Sequence, residues 1–369
     1  VLRLCKKLIG LKFLSAYYSC VAFLISACGG SKSEDKNNDY FIGFSPEYIP
    51  PNSNYKMPLL IDPYFKAQEP DYVDPYWVTS LIMEYGEETV DHLLSLDDRT
   101  FHFSFPSYEP TYVPVTILGW APANSNISNA SREIFGILEQ VLDTTFLEAN
   151  TVEGVNVIAI SQSIQPTTAG YSYFPNTFYE LGSDVFISKE YSNPIFLKNE
   201  LTNYDYETLV HEIGHALGLK HPFEGSGDNL AVLDAAEDQT KYTAMSYDDY
   251  SYTFDGTFRA LDWMALTKLY GVNSSYRAGD NTYNFSDTEG VFIIDGAGTD
   301  TIDCGTSVLD VFIDLRPGAH SYEGIKNNFI TSAGQLTISH GSQIENVETG
   351  AGDDVVIGND LQNKIYTGV

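Results

Sequence analysis

The chain has 369 residues, of which 20 are basic and 50 are acidic, so its net charge at pH 7 is −30. This excess of negative charge argues against nucleic acid or an anionic lipid surface as a partner, and it favours cations. The length allows one large domain or two ordinary ones, with cores that need no disulfides. Of the four cysteines, only Cys28 and Cys304 lie beyond the first 27 residues, so no disulfide framework is expected.

The N-terminal residues 1–27 have the layout of a signal peptide. They contain four basic residues, no acidic residue and an apolar stretch from Phe13 to Ala27. The stretch ends in "ISA" before Cys28, which resembles the lipobox of bacterial lipoproteins. This resemblance implies cleavage and lipidation at Cys28, and a protein anchored by lipid in the bacterial cell envelope, facing away from the cytoplasm. The alternative is an ordinary signal peptide and a secreted, extracellular protein.

The remaining sequence divides into four parts that differ in composition and periodicity. Residues 28–40 are typical of a flexible tether. Residues 41–99 show little periodicity apart from a helix-like run, "PYWVTSLIMEYG", and no role is assigned to them. Residues 100–272 mix predicted strands and helices, which indicates an α+β or α/β layer around one sheet, with α+β the favoured class. Residues 273–369 are glycine-rich and acidic.

Four strands are predicted in residues 100–272 from alternation or β-branched content. They are "RTFHFSFP" (99–106), "VPVTILGW" (113–120), "GVNVIAIS" (154–161) and "SDVFIS" (183–188). The last, Ser183 to Ser188, is short enough for an edge strand, to which an extended peptide could add as a further strand.

Two helices are predicted in the same region. In "SREIFGILEQVLDTTFLEA" apolar residues recur at helical spacing, which predicts one buried face. The residues of that face are Ile134, Ile137, Leu138, Val141 and Leu142. The second helix is "NYDYETLVHEIGHALG", with Asn203 as its candidate N-cap.

The stretch "HEIGHALGLKH" contains three of the seven histidines. On a helix, His211 and His215 lie one turn apart on one face and can direct their imidazoles at one point. Glu212 is rotated by about 100° from His211, so it can reach a water molecule near an ion without binding the ion. Gly218 can end the helix in a left-handed conformation, and the returning chain then supplies His221. Three histidine nitrogens arranged in this way predict a zinc site.

The same pattern followed by a methionine turn is the metzincin signature. The candidate turn is "KYTAMSYDDY", in which Met245 is followed two residues later by Tyr247. This "MSY" turn resembles those of serralysins and astacins, where the tyrosine hydroxyl is an additional zinc ligand, but astacins depend on disulfides that this chain cannot make. The chain therefore resembles the serralysins, also through "AGYSYFPN" and "LDWMALTKLYG", over residues 100–369.

The resemblance implies a zinc-dependent metalloendopeptidase, with residues 100–272 forming a metzincin domain of a twisted mixed sheet plus an active-site helix. The implied zinc ligands are His211, His215, His221 and Tyr247. Glu212 would move the proton of the attacking water, and Tyr247 would donate a hydrogen bond to the oxyanion. The expected partners are protein or peptide substrates, and a monomer is favoured.

The last hundred residues contain copies of a nine-residue glycine and aspartate repeat. "DGAGTDTID" (295–303) and "TGAGDDVVI" (349–357) fit GGxGxDxUx apart from the first glycine, and "GNDLQNKIY" (358–366) is a degraded copy. Aspartate and carbonyl oxygens suit calcium, and the apolar residue of each copy, Ile302 or Val356, should point inward. Residues 273–369 are therefore expected to form a short, truncated parallel β-roll that binds calcium.

The resemblance to serralysins also implies which residues carry calcium. They are Arg277, Gly279, Asn281, Asp295, Ala297, Gly298, Asp300, Gln343, Glu345, Gly350, Gly352, Asp354, Asn359 and Asn363. Asn281 and Gln343 stand where threonine is usual in the family. An N-terminal signal peptide is a second departure, because serralysins usually leave the cell by a route directed by a C-terminal signal.

Two other classes of function compete with a protease. One is a calcium-binding cell-surface binding protein with a vestigial zinc site, which predicts a damaged catalytic position, and no such position is found. The other is a structural or adhesive protein built on the roll, which requires many repeats, whereas about three are present. The sequence therefore favours a calcium-stabilised zinc endopeptidase.

Overall fold

The computed structural model describes residues 74–189, 203–248 and 257–368, together with the backbone of a short strand at 25–27. Five helices lie in this part of the chain: α1 (Tyr76–Thr79), α2 (Gly86–Ser95), α3 (Ser125–Val141), α4 (Asn203–Ala216) and α5 (Ala260–Tyr270). None of these helices is long and apolar enough to cross a membrane. The predicted lipidation site, Cys28, and the predicted tether lie outside the described residues.

The first sheet has seven strands and mixed strand directions. They are β1 (Ile25–Ala27), β2 (Thr100–Ser104), β3 (Ala121–Pro122), β4 (Thr145–Glu148), β5 (Val157–Ser163), β6 (Gly170–Tyr173) and β7 (Val185–Ser188). Their order is β1-β6-β7-β5-β2-β4, with β3 paired to β5. β4, β2, β5 and β7 run parallel, whereas β6 runs antiparallel to β7.

The position of β7 corrects the prediction that Ser183 to Ser188 forms an edge strand. β7 pairs with β5 on one side and with β6 on the other. All four of its residues are buried, with Ile187 in the main core and Phe186 in a smaller cluster on the opposite face. Strand length does not report how many neighbours a strand has, whereas burial of both faces is typical of an interior strand.

The predicted strand at 113–120 is also wrong, because this segment is a series of turns. The backbone N–H of Val113 donates to the carbonyl of Pro110, and that of Ile117 donates to the carbonyl of Pro114. Such bonds three residues back are turn bonds, and proline disfavours a strand interior because it offers no N–H. Val113 and Ile117 are nevertheless buried, in the smaller cluster beside β6 and β7.

Helix α3 has the predicted amphipathic face, but it begins and ends at other residues than the predicted helix. It begins at Ser125 because the side chain of Asn124 caps it, accepting hydrogen bonds from two backbone N–H groups at 3.0 Å each. It ends at Val141, and the predicted C-terminal part, "TFLE", forms β4 instead. Ile134, Leu138, Val141 and Leu142 are buried as predicted, and Ile137 is half-buried.

The helices and the first sheet share one hydrophobic core. α3 and α4 pack against the sheet, and α1 and α2 pack against α5, so residues 74–99 contribute to the same core as the zinc-motif helix. Phe101 of β2 and Tyr270 of α5, for example, are both fully buried, with ring centroids 5.8 Å apart. This core holds α4 rigidly against β6, which is the arrangement that a metal site on that helix requires.

Strands from the last ninety residues form two further sheets. A parallel sheet has the order β16-β14-β10-β8, and a mixed sheet has the order β15-β11-β12-β13-β9. Their bounds are β8 (Thr282–Tyr283), β9 (Val291–Ile293), β10 (Thr301–Cys304), β11 (Val311–Asp314), β12 (His320–Glu323), β13 (Gln335–Ile338), β14 (Asn346–Thr349), β15 (Val355–Ile357) and β16 (Lys364–Tyr366). The two sheets enclose a second apolar core, in which Ile302 is fully buried and against which Val356 packs, as predicted.

Glu237 joins the two cores. Its fully buried carboxylate accepts hydrogen bonds from the hydroxyl of Tyr76 at 2.7 Å and from the hydroxyl of Thr331 at 2.9 Å. One side chain thus connects α1, the loop after the zinc motif and the segment before β13. Cys304 is buried in the second core as a free thiol.

Candidate metal centre

Helix α4 carries His211 and His215, and the chain after the following turn carries His221, the third histidine predicted to bind zinc. The helix ends at Ala216, and Gly218 has φ +98°, a conformation that residues with a Cβ rarely adopt. This reverses the chain direction and brings His221 back to the helix. All three histidines are buried, so the predicted turn and the predicted convergence are both present in the structure.

The Nε2 atoms of the histidines face one another. Nε2 of His221 lies 3.2 Å from Nε2 of His211 and 3.2 Å from Nε2 of His215. Ligands at 2.0 to 2.1 Å from a tetrahedral zinc ion are about 3.3 to 3.4 Å apart, so these distances fit a single ion. Within the described ranges, no other three His, Cys, Asp or Glu side chains bring ligand atoms this close together.

The outer nitrogen of each ring faces a hydrogen-bond acceptor. Nδ1 of His211 donates to the carbonyl of Ala244 at 2.8 Å, and Nδ1 of His215 donates to the carbonyl of Leu219 at 2.7 Å. A ring that donates from Nδ1 keeps the lone pair of Nε2 available for a metal. Burial, followed by repulsion from His221, lowers the pKa of His211 to about 3, and burial holds the pKa of His215 well below its usual value. Both rings are therefore neutral at pH 7, as metal ligands must be.

Glu212 is buried under strand β6 of the first sheet. The Ser172 hydroxyl on β6 lies 2.8 Å from Oε2 of Glu212 and also 2.8 Å from its backbone oxygen. A Cβ at Gly170 would lie 2.9 Å from Cγ of Glu212, so only glycine lets β6 pass this closely over the carboxylate. The acid predicted to transfer the proton is thus held in one place by β6.

The predicted methionine turn lies directly beneath the histidines. Met245 is fully buried, and its sulfur packs beside Gly214 of α4. The turn is fixed by Asp262 of α5, whose buried carboxylate accepts from the Thr243 hydroxyl at 2.6 Å and from the Ala244 N–H at 2.7 Å. Because the Ala244 carbonyl accepts from His211, the turn connects Asp262 to the metal centre.

Tyr247 follows the turn and lies against the histidine cluster. Its ring centroid is 4.6 Å from that of His221 and 5.7 Å from that of His211. The ring of Phe223 packs on Tyr247 at 5.0 Å, and Phe174 packs on His215 at 5.6 Å. Aromatic rings thus surround the three imidazoles and limit their contact with water.

Several residues predicted to carry calcium converge near strands β8 and β10 of the C-terminal parallel sheet. The Asn281 N–H donates to Oδ1 of Asp300 at 2.7 Å, and the Asp300 N–H donates to Oε2 of Glu345 at 2.8 Å. Gly298 adopts φ +149°, beside the Gly279 carbonyl and Asp300. Burial, and then repulsion from Asp295, Glu345 and Asp280, raises the pKa of Asp300 to about 6. Ala297 and Arg277 adjoin this group: the Ala297 N–H donates to Asp295, and the Arg277 guanidinium lies 3.5 Å from the Tyr283 hydroxyl.

The other predicted calcium residues lie further along the chain. Gly350 and Gly352 lie against the backbone of 307–309, and Asp354 accepts from the Val311 N–H at 3.1 Å. The amides of Asn359 and Asn363 donate to backbone carbonyls at 344 and 345, and Gln343 is exposed. In this structure the two asparagines therefore link neighbouring turns of the chain through hydrogen bonds.

Sequence reasoning missed four residues that support the centre: Ser172, Lys220, Glu224 and Asp262. Ser172 lies inside the quoted "AGYSYFPN", but nothing in that string indicates that its hydroxyl meets Glu212. Glu224 contacts Nδ1 of His221 at 3.2 Å. Asp262 is 41 residues beyond His221 in the chain, so only the folded packing of α5 reveals its role.

The chain is similar to bacterial metalloproteases over most of its length. It is 27% identical to a serralysin of Proteus mirabilis over 338 residues, which is 78% of this chain and 67% of that protein. It is 30% identical to the metallopeptidase AprA of Pseudomonas marginalis over 300 residues, which is 73% of this chain and 61% of that protein. It is 33% identical to serralysin C of Dickeya chrysanthemi over 218 residues, which is 52% of this chain and 43% of that protein.

The chain thus spans about two thirds or less of the length of these relatives. No protein-family model matches it. The similarity agrees with the mixed sheet, the few helices and the buried histidine triad described above. Geometry and similarity together support a serralysin-like metalloprotease.

Proposed function

We propose that this protein is a zinc-dependent endopeptidase that hydrolyses peptide bonds in proteins and is stabilised by calcium. The observation that carries the proposal is the convergence of three imidazoles beside Glu212, with Nε2 of His221 lying 3.2 Å from Nε2 of His211 and 3.2 Å from Nε2 of His215. The similarity to serralysins supports the same activity. No catalytic position of the motif is damaged, which disfavours a binding protein with a vestigial zinc site.

His211, His215 and His221 would hold the ion through Nε2, with Tyr247 as a further ligand. When bound, zinc supplies Lewis acidity, which makes water nucleophilic near neutral pH and polarises the scissile carbonyl. The half-buried rings of Phe174 and Phe223 pack against the imidazoles and limit access of bulk water, which strengthens electrostatic interactions inside the site.

Glu212 would act as the general base and then as the general acid. Its carboxylate accepts the proton of the attacking water and delivers it to the leaving amine. Ser172 restricts the rotation of that carboxylate by donating to Oε2, so the other oxygen keeps one orientation. Tyr247 would donate a hydrogen bond from its hydroxyl to the oxygen that becomes negative in the transition state.

The substrate would bind as an extended strand along β6. In the described residues, β6 pairs with the interior strand β7 on one side and with only the three-residue β1 on the other. β1 runs antiparallel to β6, with Ile25 opposite Tyr173 and Ala27 opposite Tyr171. This pairing supports an edge that accepts extended backbone next to Glu212, which suits cleavage within a chain.

Calcium binding is proposed for residues 273–369, as a partial β-roll of the serralysin type. Support comes from Asp295, Asp300 and Glu345, whose mutual repulsion raises the pKa of Asp300 to about 6 after burial has raised it. A divalent cation would remove this repulsion. The remaining calcium carriers are proposed as predicted from the sequence.

Export and lipidation at Cys28 are proposed from the sequence alone, with residues 1–27 as the signal peptide and 28–40 as the tether. Residues 41–99, 100–272 and 273–369 stay proposed as the N-terminal region, the protease domain and the calcium-binding region, although residues 74–99 pack in the core of the proposed protease domain. Mass spectrometry of the mature N-terminus tests the anchor: a diacyl group on Cys28 supports it, and an unmodified or absent Cys28 contradicts it.

The Glu212→Gln variant tests the proposed activity. Zinc content should stay at one ion per chain, because the histidines are unchanged, whereas cleavage of casein should fall by at least about 100-fold. The variant keeps the size of the side chain but lacks a carboxylate that could take a proton. Casein cleavage by this variant at the rate of the unaltered protein would overturn the mechanism. Stoichiometric zinc without any cleavage by the unaltered protein would favour the vestigial site.

A further inference from the structure

His221 differs from His211 and His215 in the group that its Nδ1 contacts. Nδ1 of His211 and of His215 each donate to a backbone carbonyl, in the methionine turn and in the turn after α4. Nδ1 of His221 instead faces Oε2 of Glu224 at 3.2 Å. The carboxylate of Glu224 is half-exposed, whereas the ring of His221 is buried. The partly exposed carboxylate of Glu224 therefore contacts one of the three candidate metal ligands.

The hydrogen bond decides which edge of the His221 ring faces the other histidines. Phe223 stacks on the ring with an interplanar angle of 11°, and Tyr247 contacts it at 61°. Packing of this kind restricts the tilt of a ring, but a half-turn about Cβ–Cγ leaves the ring in the same plane and therefore keeps the stacking. Only one of the two orientations directs Nδ1 at Glu224 and Nε2 at His211 and His215. A carboxylate that accepts from Nδ1 also keeps the proton off Nε2.

Lys220 fixes the backbone that carries Glu224. Its ammonium is buried and donates to the carbonyls of Ser80, Glu224 and Ala231 at 2.7 Å each. These three carbonyls belong to the segment after α1 and to both ends of the loop after His221. The loop is therefore attached to the core at the residue whose side chain meets the ring.

We propose that Glu224 is a positioning residue for the metal centre, which selects the metal-binding orientation and tautomer of His221, and that Lys220 holds it in place. The inference rests on the proposed zinc site. It assigns a role to a residue outside the zinc motif and predicts that removing this carboxylate weakens metal binding even though all three ligands are retained.

The test measures zinc affinity of the full chain rather than activity. Metal-free unaltered protein, Glu224→Ala, Glu224→Gln and Asp228→Asn are titrated with zinc at pH 7.5 against a chromophoric chelator. Asp228 is the matched control, because it is an exposed acid in the same loop and the contacts seen here place its backbone, not its carboxylate, in a hydrogen bond. Far-UV circular dichroism and thermal unfolding of the metal-free proteins establish that each variant is folded.

Glu224→Ala is expected to weaken zinc binding by about tenfold or more, as is usual when the hydrogen-bond partner of a metal-bound histidine is lost. Asp228→Asn should stay within about twofold of the unaltered protein, because exposed charges contribute little. Glu224→Gln should fall between them, because its amide oxygen still accepts from Nδ1 but lacks the charge. With cobalt in place of zinc, the visible spectrum of Glu224→Ala should change and that of Asp228→Asn should not.

Two results would overturn the inference while the zinc site itself stands. One is zinc affinity of Glu224→Ala equal to that of the unaltered protein. The other is an equal loss in Glu224→Ala and Asp228→Asn, which would indicate a general effect of loop charge. Failure of the unaltered protein to bind zinc would overturn the proposed function as well, so the two failures are distinguishable.

Discussion

Nε2 of His211 lies 3.2 Å from Nε2 of His221, although the two histidines are ten positions apart in the chain. Two imidazole nitrogens whose lone pairs face each other repel, and burial prevents water from separating them. The arrangement is stable when a cation lies between the rings. It is therefore the structural relationship on which the proposed activity depends, and it leads to the first prediction.

Removal of zinc with a chelator should abolish casein cleavage, and one equivalent of zinc should restore it. Removal should also lower the thermal unfolding temperature, because an ion that binds only the folded state stabilises that state by mass action. Activity and differential scanning calorimetry are measured on the same samples. Magnesium added back at the same concentration is the control, since it prefers oxygen ligands. Full cleavage by protein shown to contain no zinc would contradict the prediction.

Replacement of Ser172 by alanine should lower kcat by about tenfold and leave KM and zinc content unchanged. The variant loses a hydrogen bond to a carboxylate, which is typically worth about 1.5 to 3 kcal/mol, and Glu212 then samples unproductive orientations. Ser188→Ala is the matched control, because Ser188 is a buried serine on the adjacent strand that donates to the Gln165 carbonyl. Equal losses in the two variants would indicate that packing, and not the contact with Glu212, is responsible.

Replacement of Asp262 by alanine should reduce the free energy of unfolding by about 3 kcal/mol. The variant leaves the Thr243 hydroxyl and the N–H groups of Ala244 and Arg259 buried without their acceptor. Urea unfolding of metal-free protein measures the change, and Asp360→Ala, at an exposed acid, should have no measurable effect. Zinc affinity should fall as well, since Ala244 holds His211. An Asp262→Ala variant with unchanged stability would show that this carboxylate does not fix the methionine turn.

Replacement of Asp300 by asparagine should stabilise the calcium-free protein at pH 7. The folded pKa of Asp300 is raised to about 6, above its usual value near 4, so the folded state binds the proton more tightly than the unfolded state. The destabilising effect of its charge is therefore complete above pH 6 and is lost as the pH falls toward 4. The difference in unfolding temperature between the two proteins in chelator should accordingly shrink from pH 7 to pH 4.5.

With calcium present, the same substitution should have the opposite effect, because it removes one ligand. Asp303→Asn, at an acid in the same segment that is not among the predicted carriers, provides the comparison. If calcium raises the unfolding temperature of the unaltered protein and of Asp300→Asn by the same amount, Asp300 does not contribute to calcium binding.

Periodicity and spacing of residues in the sequence were sufficient to predict the helix of the zinc motif, the buried face of α3 and the strands β2 and β5. In each case the information is local: residues four apart share a face of a helix, and alternate residues share a face of a strand. The position of Gly218 likewise indicated where the helix must end. The three histidines could therefore be assigned to one centre before any tertiary contact was known.

The order of strands could not be predicted, because neighbours in a sheet are chosen by packing across long sequence separations. The segment 183–188 reads as a short strand whether it lies at an edge or in the interior, and only its pairing with both β5 and β6 distinguishes the two. The segment 113–120 has strand-like composition but is held in turns by its prolines and by burial against β6 and β7.

The residue pattern alone is enough to identify the candidate metal ligands, because His211, Glu212 and His215 share one helix and Gly218 lets the chain turn back to place His221 beside them. The groups that orient these side chains follow from tertiary packing: Ser172 on β6, Asp262 on a later helix, and Glu224 on a loop attached by Lys220. Hydrogen bonds between distant segments depend on the distance and direction of single atoms. These are set by the packing of the whole core and leave no periodic signal in the chain.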